Sequence, residues 1–161
     1  MPDDTLPALL EQLTPEERGY LAAMAQNLVR ARDQDYGAFC QLLGMRFTIA
    51  APGHARGEMP VAPALFNRGM VAQGGAIFAF ADQLMGTALY SALPPGAVQV
   101  SLEIKINYIA AVRDGPLVGE GRILKQGRRI IHAEAEVRDQ QGELVAAALG
   151  TFYVLGDGAR G

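Results

Sequence analysis

The sequence predicts an α+β domain in which an antiparallel sheet curls around one long helix, with extra helices ahead of it. Three observations carry this. Residues 74–93, GGAIFAFADQLMGTALYSAL, are apolar on nearly every side, open on two glycines and stop at Pro94-Pro95-Gly96, as a helix buried in its own domain does. From Ala97 onward the apolar period is two, in four segments separated by turn signals, the pattern of successive antiparallel strands. Residues 45–61 alternate as well, ahead of the helix. A chain of 161 residues, half of them hydrophobic, is long enough to bury a core as one globular domain.

Taken in order, residues 1–13 carry few order signals and are expected to be irregular. Thr14-Pro15-Glu16-Glu17 starts a helix: Thr14 caps, Pro15 suits the first helical position and Glu17 completes a capping box. This helix should run to about Ala31 with Tyr20, Leu21, Met24 and Leu28 near one face. A shorter helical stretch, 35–43, ends at Gly44. Cys40 lies in it without a neighbouring His and reads as a small buried hydrophobe. Met45 to Ala51 is a half-buried strand with Met45, Phe47 and Ile49 inward, and Pro52-Gly53 turns the chain into a second strand, 54–61. His54 beside that turn is expected to be exposed. A loop carrying Asn67 and Gly69 then leads into the long helix.

Beyond the helix, Val98, Val100, Leu102, Ile104, Ile106 and Tyr108 form the buried face of a long strand, and Gln99, Ser101, Glu103, Lys105 and Asn107 the polar one. Asp114-Gly115 is a turn. In the strand 117–125, Gly119 and Gly121 signal a bend or close packing. Gln126-Gly127 and Gln140-Gln141-Gly142 bracket a strand over 130–139, and 144–155, apolar in part on both sides, reads as a central strand. Domain boundaries follow: a helical extension over 1–43, the sheet-and-helix domain over 44–156, and a disordered tail over 157–161.

Composition narrows the function. The formal net charge is −3 and no basic block tracks a phosphate backbone, which argues against nucleic acid. A single cysteine precludes an internal disulfide and fits a reducing, cytoplasmic setting. The first residues lack the cationic start and apolar run of a secretory signal. Asp82, Gln83, Gly86 and Thr87 interrupt the long helix, so it is read as buried in protein and not in a membrane. His54 and His132 are far apart in sequence, and neither metal nor cofactor is expected.

The chemistry concentrates in the helix. Its first turn has N–H groups without intrahelical partners, backed by the positive end of the helix dipole. Glycines at 74 and 75 let a ligand approach them. A carbonyl oxygen placed there is polarised, and an oxyanion more so. Asp82 is a carboxylate in apolar surroundings, costly unless paired or used. It lies eight residues on, about 12 Å along the axis. Both groups acting on one bond is difficult within one chain and natural across a two-fold axis. The same features fit a tight loop-to-helix turn with Asp82 hydrogen-bonded to a strand, so the residues alone leave both readings open.

Asn67, Gly74-Gly75 and Asp82, in register with the strand VSLEIKINY at 100–108, resemble the hotdog-fold acyl-CoA thioesterases of the phenylacetic-acid-degradation (PaaI-like) type. The resemblance covers roughly residues 44–155. It implies a hotdog fold assembled as a homodimer or a dimer of dimers, with sites at the dimer interface. It also implies that acyl-CoA is hydrolysed to free acid and CoA. Asp82 would then be general base or nucleophile, the Gly74 amide would hold the thioester carbonyl, Asn67 would orient water or the acid, and Ser101 would assist. Asp82 and Ser101 would come from the subunit opposite Gly74. Gly75, Ile77 and Phe78, with Phe80 and Ala81, would line the acyl site. The hairpin cations Lys125, Arg128 and Arg129 around Gly127 would meet the coenzyme A phosphates, although a solvated charged turn also accounts for them. Two features depart from the pattern. Gln73 stands where the family usually has His, and can donate a hydrogen bond but cannot become cationic. Ser101 falls on the polar face of its strand, where only a bulge would bring it to the helix. The competing readings are a non-catalytic acyl-CoA or small-ligand binder and a hydratase of the same fold, whose His has no match near the helix.

Overall fold

The structure, a computed structural model, describes residues 5–30, 32 and 37–157. The chain divides into two units, Met1–Gly44 and Met45–Gly161. Among the described residues the first unit holds three α-helices: α1 (Leu6–Gln12), α2 (Pro15–Arg30) and α3 (Ala38–Leu42). Helix α1 corrects the expectation of irregular chain. Leu6, Leu9, Leu10 and Leu13 recur at helical spacing, and Pro7 sits early enough in the helix that its missing N–H is no loss. The capping box at α2 is formed: Glu17 Oε2 accepts from the Thr14 N–H at 2.8 Å and Thr14 Oγ1 accepts from the Glu17 N–H at 3.2 Å. The Thr14 N–H and the Thr14 hydroxyl, which donates to the same Glu17 Oε2 at 2.9 Å, hold the Glu17 carboxyl below its ordinary value. On α2, Tyr20, Leu21 and Met24 are half-buried as expected, whereas Leu28 is exposed. Cys40 in α3 is buried. The start expected for this helix, residues 35 and 36, lies outside the described residues, as does the tail from 158.

The second unit is one six-stranded antiparallel sheet and one long helix. Its elements are β1 (Arg46–Ala51), β2 (His54–Pro60), a 3-10 turn (Pro63–Leu65), α4 (Gly74–Ala92), β3 (Ala97–Tyr108), β4 (Pro116–Gln126), β5 (Ile130–Arg138) and β6 (Leu144–Asp157). Strand order is β1-β2-β4-β5-β6-β3, so the strand that follows the helix is not beside the next one but closes the far edge. The helix contacts every strand. Ile77, Phe80, Ala81, Leu84, Met85, Ala88 and Leu89 are buried along it. The strands meet this face with glycine where the helix comes nearest. A Cβ at Gly121 would run into the backbone carbonyl of Leu84, and one at Gly119 into the Leu84 side chain and, at 3.0 Å, the Glu136 carbonyl oxygen. The close packing signalled by these glycines is thus an approach of helix to sheet. No helix among the described residues is long and apolar enough to cross a membrane.

Two burial expectations are corrected. Ile49 shares its parity with the buried Phe47 yet is exposed, where the pairing of edge strand β1 becomes irregular. The larger correction is in β3. Its supposed buried face is broken: Val98, Val100, Leu102 and Tyr108 are exposed, Leu102 by 58%. Between Ser101 and Glu103 the strand advances two residues while β6 moves only from Phe152 to Thr151. The extra residue inverts the alternation. Ser101 therefore shares a face with the buried Phe152, and beyond the bulge Ile106 and Tyr108 share it with the buried Ala148 and Ala146.

Candidate active site

The helix start is built by the loop before it. Asn67 takes the N–H of Gly69 on its side-chain oxygen at 2.8 Å, and its own N–H bonds the Val71 carbonyl at 2.9 Å. This closes a tight turn. Gln73 follows as the N-cap in extended conformation, its N–H on the Leu65 carbonyl at 2.7 Å. Its side chain makes no capping bond and is exposed. Its carbonyl accepts from Ala76 and Ile77. The N–H groups of Gly74 and Gly75 bond no described residue, as expected of the first turn. Above Gly75 the space is open, with only Gln73 Cγ at 4.0 Å from where a Cβ would stand. Gly74 is covered on that side by Tyr108, whose hydroxyl donates to the Gly74 carbonyl at 3.0 Å.

Two turns along the same helix row stands Asp82, half-buried. Ser101 Oγ donates to its Oδ1 at 2.9 Å. The bulge at Leu102 turns Ser101 to the helix, so the placement of Ser101 on an outward polar face is corrected. Burial raises the Asp82 carboxyl above its ordinary value, and the bond from Ser101 offsets part of that rise. The carboxylate is thus oriented through one oxygen, Oδ1. One further turn along, Gln99 reaches Gly86, where a Cβ would stand 3.3 Å from its Nε2. The row Gly74, Phe78, Asp82, Gly86 is spaced by four and lies along β3.

The structure thus brings Ser101 to Asp82, and Asn67, Gln73, Gly74 and Gly75 into one helix start. It leaves Asp82 two turns from Gly74 of its own chain. Phe78 is half-buried on the row between them. Ile77, Phe80 and Ala81 are buried on the sheet side, with the Phe80 ring 6.1 Å from that of Phe47. The basic hairpin joins β4 to β5, closed by the Gly127 N–H on the Ile130 carbonyl at 2.8 Å. Gln126 pairs with Ile131, Ile131 with Phe152 and Phe152 with Ser101, so the hairpin lies at the Asp82 end of the sheet. Arg129 is engaged there by the Tyr153 hydroxyl at 2.6 Å. Lys125 and Arg128 are exposed and form none of the ion pairs among the described residues.

On the outer face of the sheet, His54 is half-buried, not exposed as expected, and bonds Glu120 at 2.9 Å. Glu120 also pairs with Arg56, Arg122 with Glu134, and Arg138 with Glu136. Tyr108 and Gln99 were not among the site residues read from sequence. The alternation places Tyr108 on the correct strand, but nothing local to it says which helix residue it meets.

A sequence profile of the family described as Thioesterase superfamily matches residues 71–146, a span holding the helix start, Asp82, Ser101 and the basic hairpin. SSO2140 of Saccharolobus solfataricus, an inferred esterase by name, is 35% identical over 103 residues, covering 64% of this chain and 73% of that protein. The conserved protein PA5202 of Pseudomonas aeruginosa has 42% identity and a TM-score of 0.73, with 78% of this chain and 99% of that one covered. BH2602 of Bacillus halodurans, solved with CoA, has 26% identity and a TM-score of 0.83 over 91% of this chain and 97% of that one. The PaaI protein from the phenylacetic acid degradation operon of E. coli shares the fold, with a TM-score of 0.72 at 23% identity over 85% of this chain and 96% of that one.

Proposed function

The chain belongs to the hotdog-fold thioesterase superfamily, and from that premise we propose that it hydrolyses acyl-CoA thioesters to the free acid and CoA. The observation that carries the reading is the half-buried Asp82, held by Ser101 through one oxygen on the helix that opens with two unpartnered glycine amides. In the reaction the thioester carbonyl oxygen takes hydrogen bonds from the Gly74 amide and its neighbour at Gly75. The attacking oxygen is either water, deprotonated by Asp82, or the Asp82 carboxylate itself. As it bonds to the carbonyl carbon, negative charge collects on the oxygen at the helix start and is stabilised there. The C–S bond then breaks and the CoA thiolate leaves, to be protonated by Asp82 in the first route and by solvent in the second. In the second route water then splits the aspartyl anhydride. Asn67 orients the attacking group through its amide nitrogen. Gln73 supplies a donor to the carbonyl in place of a cation.

The same reading requires two chains. Gly74 and Asp82 of one chain are about 12 Å apart along the helix, so the carbonyl site of one subunit is completed by Asp82 and Ser101 of another. Strand β3 supports this: it is an edge strand with Val98, Val100 and Leu102 exposed, and an uncovered edge of this kind invites pairing. A homodimer, with a dimer of dimers beyond it, is the proposed assembly. Lys125 and Arg128 at the Asp82 end are the proposed contacts for the CoA phosphates, and the CoA-bound BH2602 protein supports that ligand class. Such a substrate and the lone cysteine fit a cytoplasmic protein.

The test is release of free thiol from a panel of acyl-CoAs by wild type, Asp82→Asn and Asp82→Ala. Full activity in both variants would overturn the mechanism. Binding across the panel without turnover would favour an acyl-CoA-binding protein instead, the reading that Gln73 in place of His supports. Assembly is tested by mixing inactive Gly74→Leu and Asp82→Ala chains: a shared site restores activity in the hybrid, whereas separate sites leave it dead.

A further inference from the structure

We propose that Tyr108 is a positioning residue for the carbonyl-binding helix start, acting through the Gly74–Gly75 peptide; this rests on the thioesterase reading above. Most helix starts are held by a capping side chain that accepts a bond from the first free N–H groups. Here that device is absent, because the N-cap Gln73 makes no side-chain bond. A capping oxygen would in any case occupy the N–H groups a substrate carbonyl needs. Two successive glycines are also the residues least able to hold a helix end still.

Tyr108 holds this start from the other side. Its ring covers Gly74 so closely that a Cβ there would meet Cζ at 3.2 Å and Cε1 at 3.4 Å. Its hydroxyl donates to the Gly74 carbonyl at 3.0 Å. The bond therefore falls on an oxygen and leaves the N–H groups open. It also acts on the ligand side of the same peptide: the Gly74 carbonyl and the Gly75 N–H belong to one amide, and a donor on its oxygen makes its N–H a stronger donor. Tyr108 thus fixes where the open amides point and strengthens the one at Gly75, above which the space is free. The contact joins residues 34 apart in the chain, the helix start and the last residue of β3.

The experiment compares Tyr108→Phe, which keeps the ring, with Tyr108→Leu, which removes it. Steady-state kinetics use the acyl-CoA best turned over by wild type, and amide NMR follows Gly75, with Ala133 and Ala135 as reporters of an intact sheet. Losing one oxyanion donor costs about 10²–10³ in kcat. Loosening and weakening one should cost about 5- to 10-fold in Tyr108→Phe, with KM within about twofold and the acid limb of the pH profile in place. The Gly75 amide proton should move upfield. Tyr108→Leu should lower kcat further. A Tyr108→Phe enzyme with wild-type kcat overturns the proposal, and so does an unmoved Gly75 resonance. Should wild type turn over no acyl-CoA, the thioesterase reading fails by itself, and the Gly75 resonance still decides whether Tyr108 governs this peptide. If Tyr108→Leu does not fold, Tyr108→Phe alone decides.

Discussion

The two sides of α4 are made by opposite rules. On one side Ile77, Phe80, Ala81, Leu84, Met85 and Ala88 are buried, and the strands below give way to them with glycine at 57, 119, 121 and 150. Packing to native density settles each of these residues. On the other side Gly74, Phe78, Asp82 and Gly86 lie along β3, and the contacts are few, polar and directed. Tyr108 takes the Gly74 carbonyl, Ser101 takes one oxygen of Asp82, and Gln99 approaches Gly86. Each of the two hydrogen bonds takes one oxygen and leaves the neighbouring polar atom, the Gly75 N–H or Asp82 Oδ2, without a bond among the described residues. One helix is thereby core on one side and, on the proposed reading, reactive surface on the other, where the packing of the first side holds the atoms of the second in place.

The comparison breaks most readily at Asp82. Replacing it with alanine should lower kcat by about 10³-fold, within the range of a lost acid–base group, while the protein still unfolds cooperatively; thiol release measures the first and thermal melting the second. On the packed side, Gly121→Val should leave no functional defect separate from folding. Its side chain meets the backbone of Leu84 and, at 2.8 Å, the Met85 nitrogen, so a loss of about 3 kcal/mol or failure to fold is expected, read by denaturant unfolding. A folded, stable variant would show that the helix can lift off the sheet.

Ser101→Ala sharpens the comparison. Removing a bond to a charged carboxylate should cost about 10-fold in kcat/KM. Because that bond lowers the Asp82 pKa, the acid limb of the pH–rate profile should also move to higher pH. An unmoved limb would mean that Asp82 is not the group whose ionisation sets it.

The smallest effect is on stability. Burial raises the Asp82 carboxyl, so the folded chain holds this proton more tightly than the unfolded chain. Stability contributed by the neutral form is full below the ordinary carboxylate value of 3.8 and is lost as pH rises through the higher folded value. Asp82→Asn should therefore raise Tm slightly at pH 7 and not at pH 3, as melting curves at the two pH values would show. A function gained at the expense of stability is expected on the reactive side and not on the packed one.

The sequence by itself determined whatever is local in period. The capping box at Thr14 and Glu17, the helix opened by Gly74 and Gly75, and the position of Asp82 within it follow from short-range rules. So do the strands, and the close approach signalled by Gly119 and Gly121. Tertiary structure decided the rest. Strand order sends β3 to the far edge, beside β6, and no alternation within β3 says so. The face of Ser101 depends on a bulge, which is a mismatch between two strands and is written in neither alone. Ile77, Phe80 and Ala81 read equally well as pocket or core, because an all-apolar helix carries no stripe to tell its sides apart. Tyr108 meets Gly74 only because the sheet returns the end of β3 to the start of the helix. Periodicity specifies which way a side chain points relative to its neighbours in the chain, and only the packed fold specifies what it points at.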